Sequence, residues 1–236
     1  MEILIDYNNL ASSDRKKGPK FVVEKVLAAM GYSHLAGVTR ANFRLYDGWF
    51  QEKNLTPRAQ DISAAIKTNF PGIHTVTDGS VTKKLVINVE MAYSLKIDPG
   101  TDIWHTYRMR NSPRGLSCGD PVNVGCSVTP CQLLNTHLFF KGSKCPEAAC
   151  AIEPKHLINR GEQKLIDGML AADLYYLHLQ KEPHVVVVSS DDDMWPAIRT
   201  VLDLGMHVIQ VHPLKGHRVP PYYARGRAPK YTELDM

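Results

Sequence analysis

The sequence lacks long apolar segments. Its longest unbroken run of apolar residues has five members, Val26 to Met30, whereas a transmembrane helix needs roughly 20. Residues 1–6 also lack the basic segment and the long apolar stretch of a secretory signal peptide. These absences argue against a membrane-spanning helix, and we expect a cytoplasmic protein without a membrane partner.

Two common nucleotide-binding motifs are missing as well. The sequence contains neither G-x-G-x-x-G nor a Walker A pattern, which argues against dinucleotide-dependent and NTP-driven chemistry. What is present is an ordinary globular composition, with 44% hydrophobic and 22% charged residues among 236. This length and composition predict a domain with a sizeable buried core.

The remaining pattern alternates between strands and helices. Short apolar runs predict strands over residues 2–6, 41–46, 85–89, 184–189 and 207–211, and longer patterns predict helices over 21–30, 56–66, 163–180 and 195–204. This alternation predicts an α/β fold in which helices cover both faces of a parallel sheet. It fails between residues 93 and 159, which contain all five cysteines. We expect one domain over residues 1–236, with a Cys-rich insertion at 93–159 and a basic C-terminal tail at 212–236.

Acidic residues follow two of the predicted strands. Asp6 ends the first strand, and Asp191, Asp192 and Asp193 follow the four-valine strand. Parallel sheets bind ligands at this end of their strands, although a lone Asp there also serves as a helix cap. Three adjacent carboxylates repel one another, and a divalent cation removes that repulsion. Oxygen ligands without a nearby His or Cys favour Mg²⁺ or Mn²⁺, and alternation along the chain favours Asp191 and Asp193 as the pair.

Two further carboxylates lie on the predicted helix over residues 163–180. Asp173 falls on the apolar stripe with Ile166, Leu170 and Leu177, so we interpret it as a structural carboxylate that needs hydrogen bonds. Asp167 lies at the edge of that stripe, where it can face a cleft, and we interpret it as functional.

These segments resemble the NYN domains, a LabA-like branch of the PIN-like nuclease superfamily. The resemblance rests on three motifs, which are I-D-x-x-N at residues 5–9, K-x-x-D-x-x-L-x-x-D at 164–173, and a strand followed by S-G-D-x-D plus an aromatic residue, which corresponds to 189–194 here. It covers roughly residues 1–89 and 156–211. The family has Gly where Ser190 stands and an aromatic residue where Met194 stands. The resemblance implies a parallel sheet of strand order near 3-2-1-4-5, which would bring Asp6 next to Asp191.

The resemblance also implies metal-dependent cleavage of RNA. Carried over by position, the ligands of Mg²⁺ or Mn²⁺ would be Asp6, Asp167, Asp191 and Asp193. Asn9 would orient the site, and Ser189 would support the loop that carries Asp191. The expected activity is that of a metal-dependent endoribonuclease, with RNA as the partner and DNA as an alternative substrate. The other readings are a catalytically weak or inactive nucleic-acid-binding module and a Toprim-like Mg²⁺-dependent DNase.

The cysteines have the spacing of a metal site. Two C-x₄-C pairs, Cys126 with Cys131 and Cys145 with Cys150, are separated by 13 residues, and such paired ligands are typical of structural Zn²⁺ sites. We expect these four cysteines to hold a structural Zn²⁺. A set in which Cys118 or His137 replaces one of them, and five reduced cysteines that pack as small hydrophobic residues, remain alternatives.

Basic residues cluster in three places. The net charge of +4 permits a polyanionic partner without requiring one, but residues 204–232 contain no Asp or Glu, and their cations alternate with tyrosines. We expect nucleic-acid contacts in this segment, after the first strand, and at the start of the insertion. The predicted contacts are Arg15, Lys16, Lys17, Arg108, Arg110, Arg225 and Arg227. Self-association of the chain is a further expectation.

Overall fold

The protein is described by a computed structural model over residues 1–111, 118–125, 132–214, 216, 226 and 229–236. The chain divides into two compact units. The first consists of Met1–Tyr107 and Gln163–Met236, and the second of Arg108–Glu162. All of the predicted strand and helix alternation falls in the first unit.

The described residues form strands and helices in the following order. The strands are β1 (Glu2–Asp6), β2 (Arg40–Tyr46), β3 (Phe50–Gln51), β4 (Asn54–Leu55), β5 (Gly72–Asp78), β6 (Val81–Met91), β7 (Tyr107–Asn111), β8 (Asn159–Gln163), β9 (His184–Val188), β10 (His207–His212) and β11 (Tyr231–Asp235). The helices are α1 (Ser12–Arg15), α2 (Pro19–Leu35), α3 (Pro57–Asn69), α4 (Gln132–Gly142), α5 (Pro154–Leu157), α6 (Ile166–Leu179) and α7 (Trp195–Asp203). Short 3₁₀ helices cover Pro121–Val124 and Asp192–Met194.

The first unit is built around a seven-stranded sheet of order β11-β10-β9-β1-β2-β6-β5. Every neighbouring pair is parallel except β5 with β6, which is antiparallel. β1 lies at the centre, between β2 and β9. The carboxyl ends of β1, β2 and β9 therefore meet at one edge of the sheet.

Apolar layers cover both faces of this sheet. Alternate side chains of β1 enter different clusters, with Ile3 and Ile5 in one and Leu4 in the other. The first cluster also contains buried residues of α2 and α3, such as Val26 and Ile62. The second contains buried residues of α6 and α7. The predicted α/β class, with helices on both faces of a mostly parallel sheet, is confirmed.

The insertion is shorter than the sequence predicts. Residues 93–107 belong to the first unit, and the second unit begins at Arg108. The physical reason is apolar packing, because Leu95 and Ile103 lie against the second apolar cluster. Thr106 is buried as well, and its hydroxyl accepts the Phe50 backbone N–H at 2.9 Å. The second unit contains α4, α5, most of β7 and most of β8.

The segment predicted as a basic tail contains regular structure at its end. Tyr231–Asp235 forms β11, which pairs with β10 at the edge of the sheet. Tyr231 packs edge-on against Trp195, with the ring centroids 5.5 Å apart, and its hydroxyl donates to Gln210 Oε1 at 2.7 Å. These contacts explain why the last residues of the chain add a strand, although they follow a segment rich in Pro and Gly.

Candidate metal centre

Asp6 lies at the carboxyl end of the central strand. All five residues of β1 are buried, and Asp6 is only 5% exposed. Its Oδ1 accepts the backbone N–H of Asn9 at 3.2 Å, and its Oδ2 lies 3.4 Å from the Ser189 hydroxyl. The fold thus buries the Asp6 carboxylate almost completely, and both hydrogen bonds that it accepts are long.

Two more carboxylates converge on Asp6. Asp167 is the second residue of α6, and Asp191 follows β9 by three positions. One carboxylate oxygen from each of Asp6, Asp167 and Asp191 can be chosen so that all three lie within 4.8 Å of one another. Two oxygens bound to the same Mg²⁺ are at most about 4.2 Å apart, because each lies about 2.1 Å from the ion. The 4.8 Å limit is slightly wider than that, and the exposed Asp167 is the least enclosed of the three side chains.

The electrostatics of the group favour a cation. The pKa of Asp6 is raised to about 7, chiefly by burial and further by the negative charges of Asp167, Asp191 and Asp47. The pKa of Asp167 is also raised, first by desolvation and then by Asp191 and Asp193. A divalent cation between the three carboxylates offsets both the desolvation and the repulsion.

A short hydrogen-bond network fixes the two loops that carry Asp6 and Asp191. Asn9 Oδ1 accepts the Ser190 backbone N–H at 2.7 Å, which ties the β1 loop to the β9 loop. The Ser189 hydroxyl accepts the Asp191 N–H at 3.0 Å, and the Ser189 carbonyl accepts Gln210 Nε2–H at 3.0 Å. Asn9 and Ser189 therefore occupy the positions in which side chains can orient the site.

The fourth predicted ligand, Asp193, does not join the group. Asp193 is exposed, and its backbone N–H donates to Asp191 Oδ1 at 3.0 Å, so that Asp191 caps the 3₁₀ turn. Its charge nevertheless contributes to the raised pKa of Asp167. Asp193 is therefore close enough to influence Asp167, but it is not one of the three carboxylates of the group, in contrast to its predicted role as a ligand.

Asp173 has the structural environment that its place on the apolar stripe predicts. It is fully buried, and it accepts hydrogen bonds from the Tyr46 hydroxyl at 2.6 Å and the Lys96 backbone N–H at 2.7 Å. Arg44 Nε lies 3.0 Å from the same carboxylate. These partners satisfy a buried charge that would otherwise be costly.

The sequence analysis missed Asp47 and Arg58. Asp47 follows β2 directly, is only 2% exposed, and accepts hydrogen bonds from the Gly48 N–H at 2.7 Å and from Gln163. Arg58 Nη2 lies 2.9 Å from Asp47 Oδ2, and the guanidinium lies 5.2 Å from the centre of the Tyr7 ring. The sequence signal that could have identified Asp47 is its position directly after β2, the strand that pairs with β1.

The predicted nucleic-acid contacts have varied surroundings. Arg15 Nη1 donates to Asn8 Oδ1 at 2.7 Å, Lys16 is exposed, and Lys17 Nζ lies 4.2 Å from the centre of the Phe21 ring. In the second unit, Arg108 and Arg110 both lie near Glu162, with Nε to Oε2 distances of 3.6 and 3.1 Å. Arg225 and Arg227 fall outside the described residues.

The predicted structural Zn²⁺ site stays a prediction, because two of its four cysteines lie outside the described residues. Cys126 and Cys131 fall outside the described residues, while Cys145, Cys150 and Cys118 are half-buried and form no disulfide. His137 Nδ1 lies 2.9 Å from the Cys118 carbonyl oxygen. Within the described part of the chain, the one group of three or more His, Cys, Asp or Glu side chains close enough to share a metal is Asp6, Asp167 and Asp191.

No family model matches the chain, and neither a curated protein nor a solved structure matches it. Among the described residues, no helix combines the length and the apolarity that are needed to cross a membrane.

Proposed function

We propose that the protein is a metal-dependent endoribonuclease of the NYN and PIN-like type. The observation that carries this proposal is the group of Asp6, Asp167 and Asp191, whose oxygens lie within 4.8 Å of one another at the carboxyl end of a parallel sheet. Three carboxylates from three separate chain segments are a typical donor set for Mg²⁺ or Mn²⁺.

The topology supports the family resemblance. The five strands β1, β2, β6, β9 and β10 are mutually parallel, and numbered in chain order they lie in the sequence 3-2-1-4-5. This is the order that the resemblance implies. The three motifs behind the resemblance lie at the end of β1, at the start of α6 and in the turn after β9.

The donor set fits phosphodiester hydrolysis. Asp6, Asp167 and Asp191 would hold a divalent cation, which would stabilise charge on a phosphoryl oxygen and lower the pKa of an attacking water. Asp6 and Asp191 are fixed by the Asn9 and Ser189 hydrogen bonds. Asp167 is exposed at the start of α6, so this side of the group is open to an RNA strand from solvent.

The deciding experiment is a cleavage assay on the full-length protein. Single-stranded RNA, total tRNA and DNA are incubated with Mn²⁺, Mg²⁺ or EDTA, and products are resolved by gel electrophoresis. Asp191→Asn removes one ligand charge, and Asp192→Asn is its matched control, because Asp192 is exposed and lies outside the group. We expect cutting of RNA that needs the metal, falls at least a hundredfold in Asp191→Asn and persists in Asp192→Asn.

Three results would count against the proposal. Equal activity of Asp191→Asn and wild type would mean that this group is not the catalytic site. A folded protein that binds Mn²⁺ but cuts none of the substrates would favour the nucleic-acid-binding module. Cutting of DNA alone would favour the Toprim-like alternative.

A further inference from the structure

A positively charged pocket lies beside the β1 loop. Its volume is about 460 Å³, and its walls come from α1, the start of α2 and one side of α3. Ser12, Arg15, Lys16 and Arg58 line it, together with the apolar Ile62. This size is within the range of small-ligand sites, which runs from about 300 to 1,000 Å³.

Arg15 is attached to the loop that follows Asp6. Its Nη1 donates to Asn8 Oδ1 at 2.7 Å, and Asn8 stands two positions after Asp6. Arg15 Nε is buried and has no hydrogen-bond partner among the described residues. Lys16, the next residue, is exposed on the same wall. Arg15 and Lys16 thus place two cations on one wall of the pocket, and the bond between Arg15 and Asn8 ties this wall to the loop after β1.

Arg58 lines the pocket from α3 and is paired with Asp47. Arg58 Nη2 lies 2.9 Å from the buried Asp47 Oδ2, and its guanidinium lies 5.2 Å from the centre of the Tyr7 ring. Tyr7 is the neighbour of Asp6 in the chain. The Arg58 side chain is still 40% exposed, so part of its planar group remains available on the pocket side.

The charge of the pocket favours an anion. Three cations face one lining carboxylate, Asp61, which is exposed. Arginine presents paired donors in a plane that matches phosphate oxygens, and lysine adds a mobile point charge. Both arginines are held by other side chains, so less conformational entropy is lost when they bind a ligand.

We propose that Arg15, Lys16 and Arg58 form a phosphate subsite that holds a backbone phosphate of the RNA strand next to the phosphate at the Asp6, Asp167 and Asp191 group. This inference rests on the proposed function, and it assigns the pocket a part in it. The subsite positions the strand through its backbone, and it recognises phosphate rather than base sequence. Asp47 acts here as a positioning residue, because it holds Arg58 against Tyr7.

The test measures RNA binding without cleavage. A fluorescein-labelled single-stranded 12-nucleotide RNA is titrated with the full-length protein in EDTA at several salt concentrations, and binding is followed by fluorescence anisotropy. Arg15→Gln with Lys16→Gln removes two charges from the pocket. Lys67→Gln with Lys181→Gln is the matched control, because both lysines are exposed and neither lines the pocket.

We expect the pocket double variant to bind the RNA about tenfold more weakly than wild type at moderate salt. The slope of log K against log salt concentration should fall by up to about 0.7, since the variant loses its contact with one phosphate and each phosphate contact on a single strand is worth about 0.7. Arg58→Lys keeps the charge beside Asp47 but loses the planar donor pair, so we expect weaker binding in a folded protein. The control should stay within about twofold of wild type.

Equal affinity and equal salt slope in the pocket variant and the control would overturn the subsite. So would a wild-type protein that does not bind the RNA in EDTA. Failure of the nuclease proposal would look different. If RNA binding depended on Arg15 and Lys16 but the protein showed no metal-dependent cleavage, the subsite would stand and the nuclease proposal would fall. If the pocket variant cleaved RNA as well as the control, only the subsite proposal would fall.

Discussion

The side-chain amide oxygen of Asn9 accepts the backbone N–H of Ser190 at 2.7 Å. This bond joins two loops that are 181 residues apart in the sequence. One loop follows β1 and Asp6, and the other follows β9 and carries Asp191. The separation of two candidate ligands therefore depends on a side chain that is not itself in the carboxylate group.

Asn9→Ala should weaken metal binding more than it weakens the fold. The variant loses the bond to Ser190, so the Asp6 and Asp191 loops are no longer held at a fixed separation. We expect Mn²⁺ affinity, measured by isothermal titration calorimetry, to fall by about 10- to 100-fold. The free energy of unfolding should fall by about 1 kcal/mol. Asn8→Ala is the control, because Asn8 is exposed and bonds only Arg15 among the described residues. Equal Mn²⁺ affinity in both variants would contradict the prediction.

Asp6→Asn should stabilise the metal-free protein at high pH. The pKa of Asp6 is about 7 in the folded chain against a usual value of 3.8. Between these values the folded state retains a proton that the unfolded state has released, so this carboxyl makes stability fall as pH rises from about 4 to about 7. Since one pKa unit corresponds to about 1.4 kcal/mol, the variant should gain up to a few kcal/mol at pH 8 and little at pH 4.

Urea unfolding in EDTA at pH 4 and pH 8 measures this difference. Asp192→Asn is the control for the loss of one charge, because its carboxylate is exposed. A gain of the same size at both pH values would show that burial of the Asp6 charge is not its cause.

Much of the fold follows from patterns within single segments. The valine run at 185–188 predicts a strand buried on both faces, and all four valines are fully buried. The edge strand β11 has no such signal, because its stability comes from pairing with β10 and from the packing of Tyr231 on Trp195. The same holds for residues 93–107, whose place in the first unit depends on contacts with distant helices.

The candidate site likewise contains residues that the sequence indicates and residues that only the tertiary fold brings together. The proximity of Asp6 and Asp191 is implied by the family resemblance, whose strand order places the first and fourth parallel strands side by side, as β1 and β9 are here. Arg58 could not be assigned, since its partners Asp47 and Tyr7 are 11 and 51 residues away and meet it only through the tertiary fold. Alternation along an extended chain would place Asp191 and Asp193 on the same side. Asp192–Met194 forms a 3₁₀ turn instead, with Asp191 as its N-cap, so this alternation does not apply there.

Asp173→Asn should destabilise the fold without changing metal binding by the folded protein. Its carboxylate is fully buried and contacts Arg44, Tyr46 and the Lys96 backbone. Loss of one partner of a buried charge pair costs about 3–5 kcal/mol. Urea unfolding should show such a loss. Asp203→Asn should cost less than about 1 kcal/mol, because Asp203 and Arg199 form an exposed pair at 3.5 Å. A normal free energy of unfolding together with lost Mn²⁺ affinity would instead make Asp173 a ligand.

Metal affinity should depend on pH through Asp6. A carboxyl must be deprotonated to bind a cation, and with a pKa of about 7 about half of the Asp6 carboxyls carry a proton at neutral pH. The dissociation constant for Mn²⁺ should therefore be about tenfold higher at pH 6 than at pH 8, and binding at pH 6 should release close to one proton. Calorimetry in two buffers that differ in ionisation enthalpy measures both quantities. An affinity that is equal at the two pH values, or binding without proton release at pH 6, would show that Asp6 is not a ligand of the ion.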